Sequence, residues 1–467
     1  MAWFLLPISI LTKSFIHIPS IFGLLPTYIF TIYCMFQLSI KRYGIGELYV
    51  NKKVILFTVM FILVQTIVMA ISSLTMHPLV GTPKFQNGCL LLILIIFSYF
   101  LSYYTVYLSI SNFKQISFFV KSIYITFVVF FIFILLPQII SALFNISFFN
   151  EINNVISSLL AAKHIHRLDF YSCGSYVTTL HRINGLSEEA SFFAAEVGII
   201  FAPFILSGIK NKINVFTFVK KKFSLSAFIL LLILFSSLFL AKTTTGLLVI
   251  IICSIFLYSW IMKNYPVQTI IFTLIFLLLF FVAYIKIHFI HSVLNNYLFK
   301  KHGTSNRLGS TIALFITFLH HPIFGVGHGY TSPYSFLYVP RHLTDNFEYD
   351  FFFKKYGFAA QSNLMCILAE VGLVFILPLF IYIFKKLKLY KRILFQLDTI
   401  IHSNDKLNQF NKFNVYKLIL DAFPIFIFLY LFLMLFSFSY LDYCYLIMFA
   451  FYFVVIKLII KDLSNES

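Results

Sequence analysis

Charge is scarce in this chain. Only 11% of its 467 residues are Asp, Glu, Lys or Arg, against 60% hydrophobic and 20% aromatic residues, and the mean hydropathy is +0.93. A soluble domain of that length could not cover its surface with so few polar groups, which excludes a soluble globular fold. Cysteine is also sparse: Cys34, Cys89, Cys253, Cys366 and Cys444 lie in or beside apolar runs, and only Cys173 falls in a long polar segment. That pattern excludes an internal disulfide framework and a Cys-based metal site. The N-terminal stretch lacks a basic n-region and an A-x-A-like site, so no cleaved signal peptide is expected. Acidic residues are the rarer charges, 16 against 35 basic, for a formal net charge of +19.

What remains is apolar and long. Runs of the length needed to cross a bilayer predict an all-α polytopic membrane protein, a single integral membrane domain over 1–467. About twelve spans are expected, near 2–16, 20–40, 54–74, 88–110, 119–143, 190–208, 224–241, 246–262, 267–286, 363–384, 418–437 and 440–460. Pro7, Lys13 and His17 interrupt the first, for which a re-entrant or interfacial stretch is the alternative. One set of alternate loops carries 22 of the 35 basic residues, including Lys52, Lys53, Lys210, Lys212, Lys220 to Lys222 and the cluster Lys385 to Arg392. Basic loops resist translocation, so this set is expected in the cytoplasm with both termini. Orientation toward anionic lipid accounts for the net charge, and no nucleic-acid partner is implied.

Two long segments, 144–189 and 287–362, then face outward. Of 29 Lys, 20 are on the expected inner side, yet four of six Arg (Arg167, Arg182, Arg307 and Arg341) lie in the outer segments. Lys suffices for orientation; a planar fork that grips carboxylate or phosphate in two places is the physical reason to keep Arg. The stretch HRINGLSEEASFFAAEVG, 181–198, concentrates charge where an apolar helix begins. Glu188 and Glu189 are expected in the first helical turn, where carboxylates complement the dipole, with Ser187 or Ser191 as cap. Glu196, one heptad past Glu189, falls inside the apolar layer, where a carboxylate must face protein, water or a cation such as Arg182 or His181. A polar cleft opening outward is the expectation.

Four stretches in order resemble the O-antigen polymerase and ligase superfamily. RINGLSEEAS, with Arg182, Gly185, Glu189 and Ser191, looks like its R-x-x-G-x-x-x-E-P-S pattern, with Ala190 at the Pro position. AKTTTGLL, 241–248, is similar to a Ser/Thr-rich outer turn in which ligases commonly have Arg and this chain has Thr245. NRLGSTIALFITFLHHPIFGVGHGY, 306–330, resembles the R-x(n)-P-x-x-G-x-G-x-G segment through Arg307, Pro322, Gly325, Gly327 and Gly329. QSNLMCILAEVGLV, 361–374, looks like the H-N-x-x-L-x-x-L-x-E-x-G-L stretch, with Asn363 in place and Gln361 and Ser362 replacing the His.

The resemblance implies a GT-C-like architecture and a bacterial inner-membrane glycosyltransferase with a periplasmic active site. Such an enzyme joins oligosaccharide repeat units carried on undecaprenyl diphosphate, without metal or cofactor. Its partners would be that lipid-linked oligosaccharide, membrane lipid and a chain-length regulator protein. An O-antigen ligase is the first alternative and a flippase or other transporter the second. Breaking an anomeric bond to diphosphate needs cations on the leaving group, for which Arg182 and Arg307 are the candidates. It also needs a group for the acceptor hydroxyl, for which Glu189 leads, ahead of His328 and His321. Gly325 and Gly327 offer amides to a phosphate or end an outer helix; Glu196, Arg341, Gln361 and Asn363 complete the expected substrate cleft. The outer and loop histidines lack a zinc-like spacing. The insert 332–357 alternates polar and aromatic residues, suited to sugar faces or to the membrane interface. AEVGIIF at 195–201 recurs as AEVGLVF at 369–375 with nothing around it matching, so the two are taken as coincidence.

Overall fold

A computed structural model describes residues 1–11, 25–40, 52–76, 79–164, 167–221, 223–264, 304–403 and 410–464, with scattered positions between 266 and 291. Among the described residues the chain is helical, with one isolated β-bridge between Ile213 and Lys220. Helices are what apolar runs must form in lipid, because every backbone N–H and C=O has to be satisfied within the segment.

The first half comprises α1 Leu5–Ile10, α2 Leu25–Ser39, α3 Lys52–Met76, α4 Phe85–Ser109, α5 Phe113–Phe130, α6 Leu136–Phe144, α7 Ser147–Leu159, α8 Tyr176–Leu180, α9 Ala190–Ile200, α10 Ala202–Lys210, α11 Leu225–Leu240 and α12 Thr244–Asn264. The second half comprises α13 Thr304–His320, α14 Thr331–Tyr338, α15 Asn363–Val371, α16 Leu373–Ser403, α17 Phe410–Leu433 and α18 Tyr443–Ser464. Seven segments are long and apolar enough to cross a membrane: α3, α4, α5 through α6, α9 through α10, α12, α17 and α18. Seven, rather than the twelve expected, is therefore what the described residues support. Of the other expected spans, 224–241 becomes a 16-residue helix, α11. The run at 2–16 shows only the six residues of α1, the rest lying outside the described residues, and most of 267–286 also lies outside them.

The expected span 363–384 is broken. Gly372 stands at φ +71 between α15 and α16, and a Cβ there would lie 2.4 Å from the Ile323 carbonyl oxygen. Leu373 and Val374 donate their N–H groups to Pro322 and Ile323 instead of to the preceding turn. The cause is the turn 321–330, which packs its backbone against the end of α15.

The segment α9–α10 is the centre of the molecule, 83% buried, packed against α11, α12, α17 and α18. Its own Phe204 and its large neighbours Phe127, Phe451 and Tyr452 belong to one continuous apolar core. The charged stretch 181–198 thus feeds the innermost helix. Lys210, at its other end, pairs with Asp421 at 2.5 Å, and Lys417 with Asp398 at 2.6 Å. The basic segments expected on one side accordingly meet one another. The outer segments do the same: Arg167 from 144–189 pairs with Glu348 from 287–362 at 3.3 Å. Neither outer segment is a plain loop, since they hold α7 and α8, and α13 and α14.

Candidate functional site

Gly185 opens the site. Its φ is +57, and a Cβ would fall 2.6 Å from the Phe193 ring. Gln138, from α6, clamps the turn: its Oε1 accepts the N–H groups of Asn184 and Gly185 at 3.2 and 2.9 Å, and its Nε2 donates to the Gly185 carbonyl at 2.8 Å. The chain is thereby turned so that the helix begins only at Ala190. Glu189 is the extended residue preceding it, at φ −138 and ψ 157.

That placement corrects the sequence reading of both carboxylates. Glu188 and Glu189 precede the first turn, and neither Ser187 nor Ser191 caps it. Ser187 Oγ donates to Glu196 Oε2 at 3.0 Å, and Ser191 Oγ donates to Glu189 Oε2 at 3.3 Å. Glu189 stays half-buried at the mouth, close to the positive end of α9. Glu196 is 9% exposed and borders a cavity of about 60 Å3, with Ser187, Glu188, Ser439, Asp442 and Tyr445. The cavity has room for a few water molecules. It is a polar cavity around Glu196, but neither Arg182 nor His181, the expected neighbours, lines it, and its other wall, the segment before and into α18, carried no sequence signal.

Behind Glu188 stands Tyr171. Its hydroxyl donates to the Glu188 carbonyl at 2.8 Å and accepts the His164 N–H at 3.1 Å. Burial, and the charges of Glu188 and Glu189, keep the phenol neutral well beyond its usual range.

The cations lie on the other flank. Arg182 Nε donates to the Ala241 carbonyl at 3.3 Å, while Lys242 Nζ donates to the His181 carbonyl at 2.9 Å. Two stretches 60 residues apart in sequence are thus tied by reciprocal bonds. Lys242 occupies a left-handed backbone position, φ +49, in the turn between α11 and α12. Thr243 Oγ1 accepts the Gly246 N–H at 2.9 Å, starting α12 beside the two cations. Burial and the neighbouring Arg182 both lower the Lys242 pKa. Two positive groups and a helix N-terminus converge here, an arrangement that favours an anion.

Arg307 occupies the first turn of α13, half-buried. Its link to Arg182 is indirect. Asn306 beside it bonds Asn346 and Glu348, Glu348 pairs with Arg167, and Arg167 stacks on Phe170 at 4.1 Å. Phe170 meets Tyr176 edge to face, and Tyr176 lies 6.0 Å from the Arg182 guanidinium. Arg341 is exposed on the same outer segment.

Other expected residues have structural duties. Gly325 and Gly327, at φ +71 and +91, admit close backbone contact: a Cβ would lie 2.3 Å from the Glu370 carbonyl oxygen and 2.7 Å from Met69 Cγ respectively. Their amides are committed, Gly325 N–H to His321 and Gly327 N–H to Glu370, which leaves the phosphate role without a donor at either position. Gln361 N–H donates to Ser310 Oγ at 3.0 Å, Ser362 caps α15, and Asn363 Nδ2 donates to the Phe438 carbonyl at 2.7 Å. His321 packs edge-on to Tyr334, its pKa lowered by burial and by His320. His328 pairs with Glu370 and does not line the Glu196 cavity.

Two residues were missed. Lys242 had one signal, being a lone Lys in a turn expected outside, where 20 of 29 Lys are expected inside. Glu370 was set aside with the AEVG recurrence; the two copies differ structurally, Glu196 lying within α9 and Glu370 at the broken end of α15. No protein-family profile matches the chain, and no curated protein matches it in sequence.

Proposed function

We propose that the chain is an inner-membrane glycosyltransferase that polymerises undecaprenyl-diphosphate-linked oligosaccharide repeat units on the outer face. The observation that carries this reading is the cross-tie of Arg182 with the turn at Lys242 beside the start of α12. A diphosphate leaving group carries the charge that such a cationic corner suits, and Arg adds a fork that a point charge lacks. Glu189 belongs to the same short stretch as Arg182 and directly precedes α9.

The chemistry follows from these groups. The acceptor sugar hydroxyl attacks the anomeric carbon of the growing chain, and its proton passes to the Glu189 carboxylate. The anomeric C–O bond breaks, and the diphosphate departs with the bonding pair, its new charge met by Arg182 and Lys242. Arg307 and Arg341, on the other segment expected to face outward, would meet the same lipid-linked substrate. The motif order, and not the bare fold, favours a polymerase over a transporter.

The test uses Lys242, a position chosen for its place in space. Lys242→Ala, assayed in cells and matched for membrane abundance, is expected to shorten or abolish the glycan ladder. A normal ladder at normal abundance would remove Lys242 from the mechanism and the observation on which the reading stands.

A further inference from the structure

A buried imidazole and carboxylate stand outside the residues that line the Glu196 cavity. His328 Nδ1 is 2.8 Å from Glu370 Oε2, and Glu370 Oε1 accepts the Gly329 N–H at 2.8 Å. Gln65, on α3, accepts the His328 N–H at 3.1 Å. Val326 and Gly327 donate to the Ala369 and Glu370 carbonyls, and Ser72 Oγ donates to the Val326 carbonyl at 2.6 Å. The turn 321–330 is therefore held between α3 and α15, with Glu370 bonded through both its backbone and its carboxylate.

The ring's other nitrogen, Nε2, is buried and has no partner among the described residues. Glu370 is 5% exposed. A carboxylate so placed is costly without a countercharge, and the His328 imidazolium is the cation in contact with it. Groups facing the pair are few. On α15, Cys366 bonds Glu370, and Thr331 touches Cys366. Tyr440, before α18, feels Glu370 and Cys366. From α3 comes the uncharged Gln65, and from α4 Gly88, which has no titratable group.

We propose that the His328–Glu370 pair is a proton-binding site that clasps the glycine-rich turn onto α3 and α15, tight when protonated and loosened as pH rises. The inference does not rest on the glycosyl-transfer reading. With the proton bound, the pair is a neutral sum of opposite charges. Without it, Glu370 is a buried carboxylate facing a neutral ring; Nε2 lacks a partner among the described residues in both states, as a donor with the proton and as an acceptor without it. Burial alone would depress the His328 pKa, but the charge of Glu370 and its hydrogen bond outweigh burial and raise it. A pKa raised on folding gives stability that is whole below the unfolded value near 6.5. That stability is lost as pH climbs through the raised folded value.

The experiment is hydrogen exchange of the purified full chain in detergent, read on peptides covering 322–331 at about pH 6 and about pH 9 and corrected for intrinsic exchange. Peptides from α7 serve as the control. In the wild type, protection of the turn is expected to fall about tenfold or more between the two pH values, with α7 unchanged. Glu370→Gln keeps an acceptor for Gly329 but no charge, so its turn should change less than about twofold, and His328→Gln should behave alike. A wild-type turn equally protected at both pH values would overturn the proposal. So would a fall of the same size in Glu370→Gln.

Discussion

Replacing Gly325 with Ala separates a packing role from a ligand role in the glycine-rich turn. The added Cβ would stand 2.3 Å from the Glu370 carbonyl oxygen and 2.6 Å from that of Ala369, at φ +71. The left-handed conformation alone costs about 1 kcal/mol for a residue with a Cβ. Relieving the overlap requires the turn to withdraw by more than half an ångström at about 3 Å contact. That withdrawal stretches the Val326 and Gly327 bonds to those same carbonyls, 2.8 and 3.0 Å long, each contributing about 1 kcal/mol. The sum is about 3 kcal/mol, equivalent to roughly 3 °C of melting temperature by size scaling. Gly329→Ala is the control. Its φ is +80, but the nearest atom to a Cβ is Pro83 Cγ at 3.9 Å, so only the conformational cost of about 1 kcal/mol applies. Melting curves of the purified variants in detergent should rank Gly325→Ala well below Gly329→Ala. Equal melting temperatures for the wild type and Gly325→Ala would refute the close-approach argument.

If Arg182 and Arg307 grip phosphate oxygens as forks, Arg→Lys should impair polymer formation nearly as much as Arg→Ala, by about a hundredfold or more in rate. A full-length ladder from Arg307→Lys at normal abundance would remove that role from Arg307. Arg167→Ala deletes the ion pair to Glu348 and the stacks on Phe170 and Phe352; a loss of about 1–2 kcal/mol should appear as faster proteolysis near 340–356, and an unchanged digestion pattern would contradict the latch. Cysteines placed at 160 and 345 should label from outside intact cells and those at 215 and 400 only after permeabilisation. Labelling of 345 from the cytoplasmic side alone would leave the lipid-linked glycan out of reach of the proposed site.

The apolar elements were readable because lipid imposes length and composition together. The runs at 54–74 and 88–110 appear as Lys52–Met76 and Phe85–Ser109, and the run at 190–208 as the central α9–α10. The break at Gly372 was hidden, since its cause is the backbone at Ile323, about 50 residues away. Helices α7, α8 and α14 were hidden too, because short or polar helices lack the apolar run that marks a span, whereas α13 was offered as a helix ended by the glycine-rich turn. In the site, Arg182 and Glu196 were legible from charge against an apolar background. Glu189 was found but placed inside the first turn rather than just before it, because the Gln138 clamp that sets the start of α9 comes from another helix. Lys242 needed the fold, since a single Lys acquires meaning only when Arg182 is brought beside it.

The central claim is tested most directly by the glycans of cells in which Arg182→Ala replaces the wild-type chain at equal membrane abundance. The account predicts surface glycan reduced to a single repeat unit on its final acceptor, with no ladder. Long polymer accumulating on the carrier lipid would contradict it and identify a ligase, and an unchanged ladder would contradict the cationic site itself.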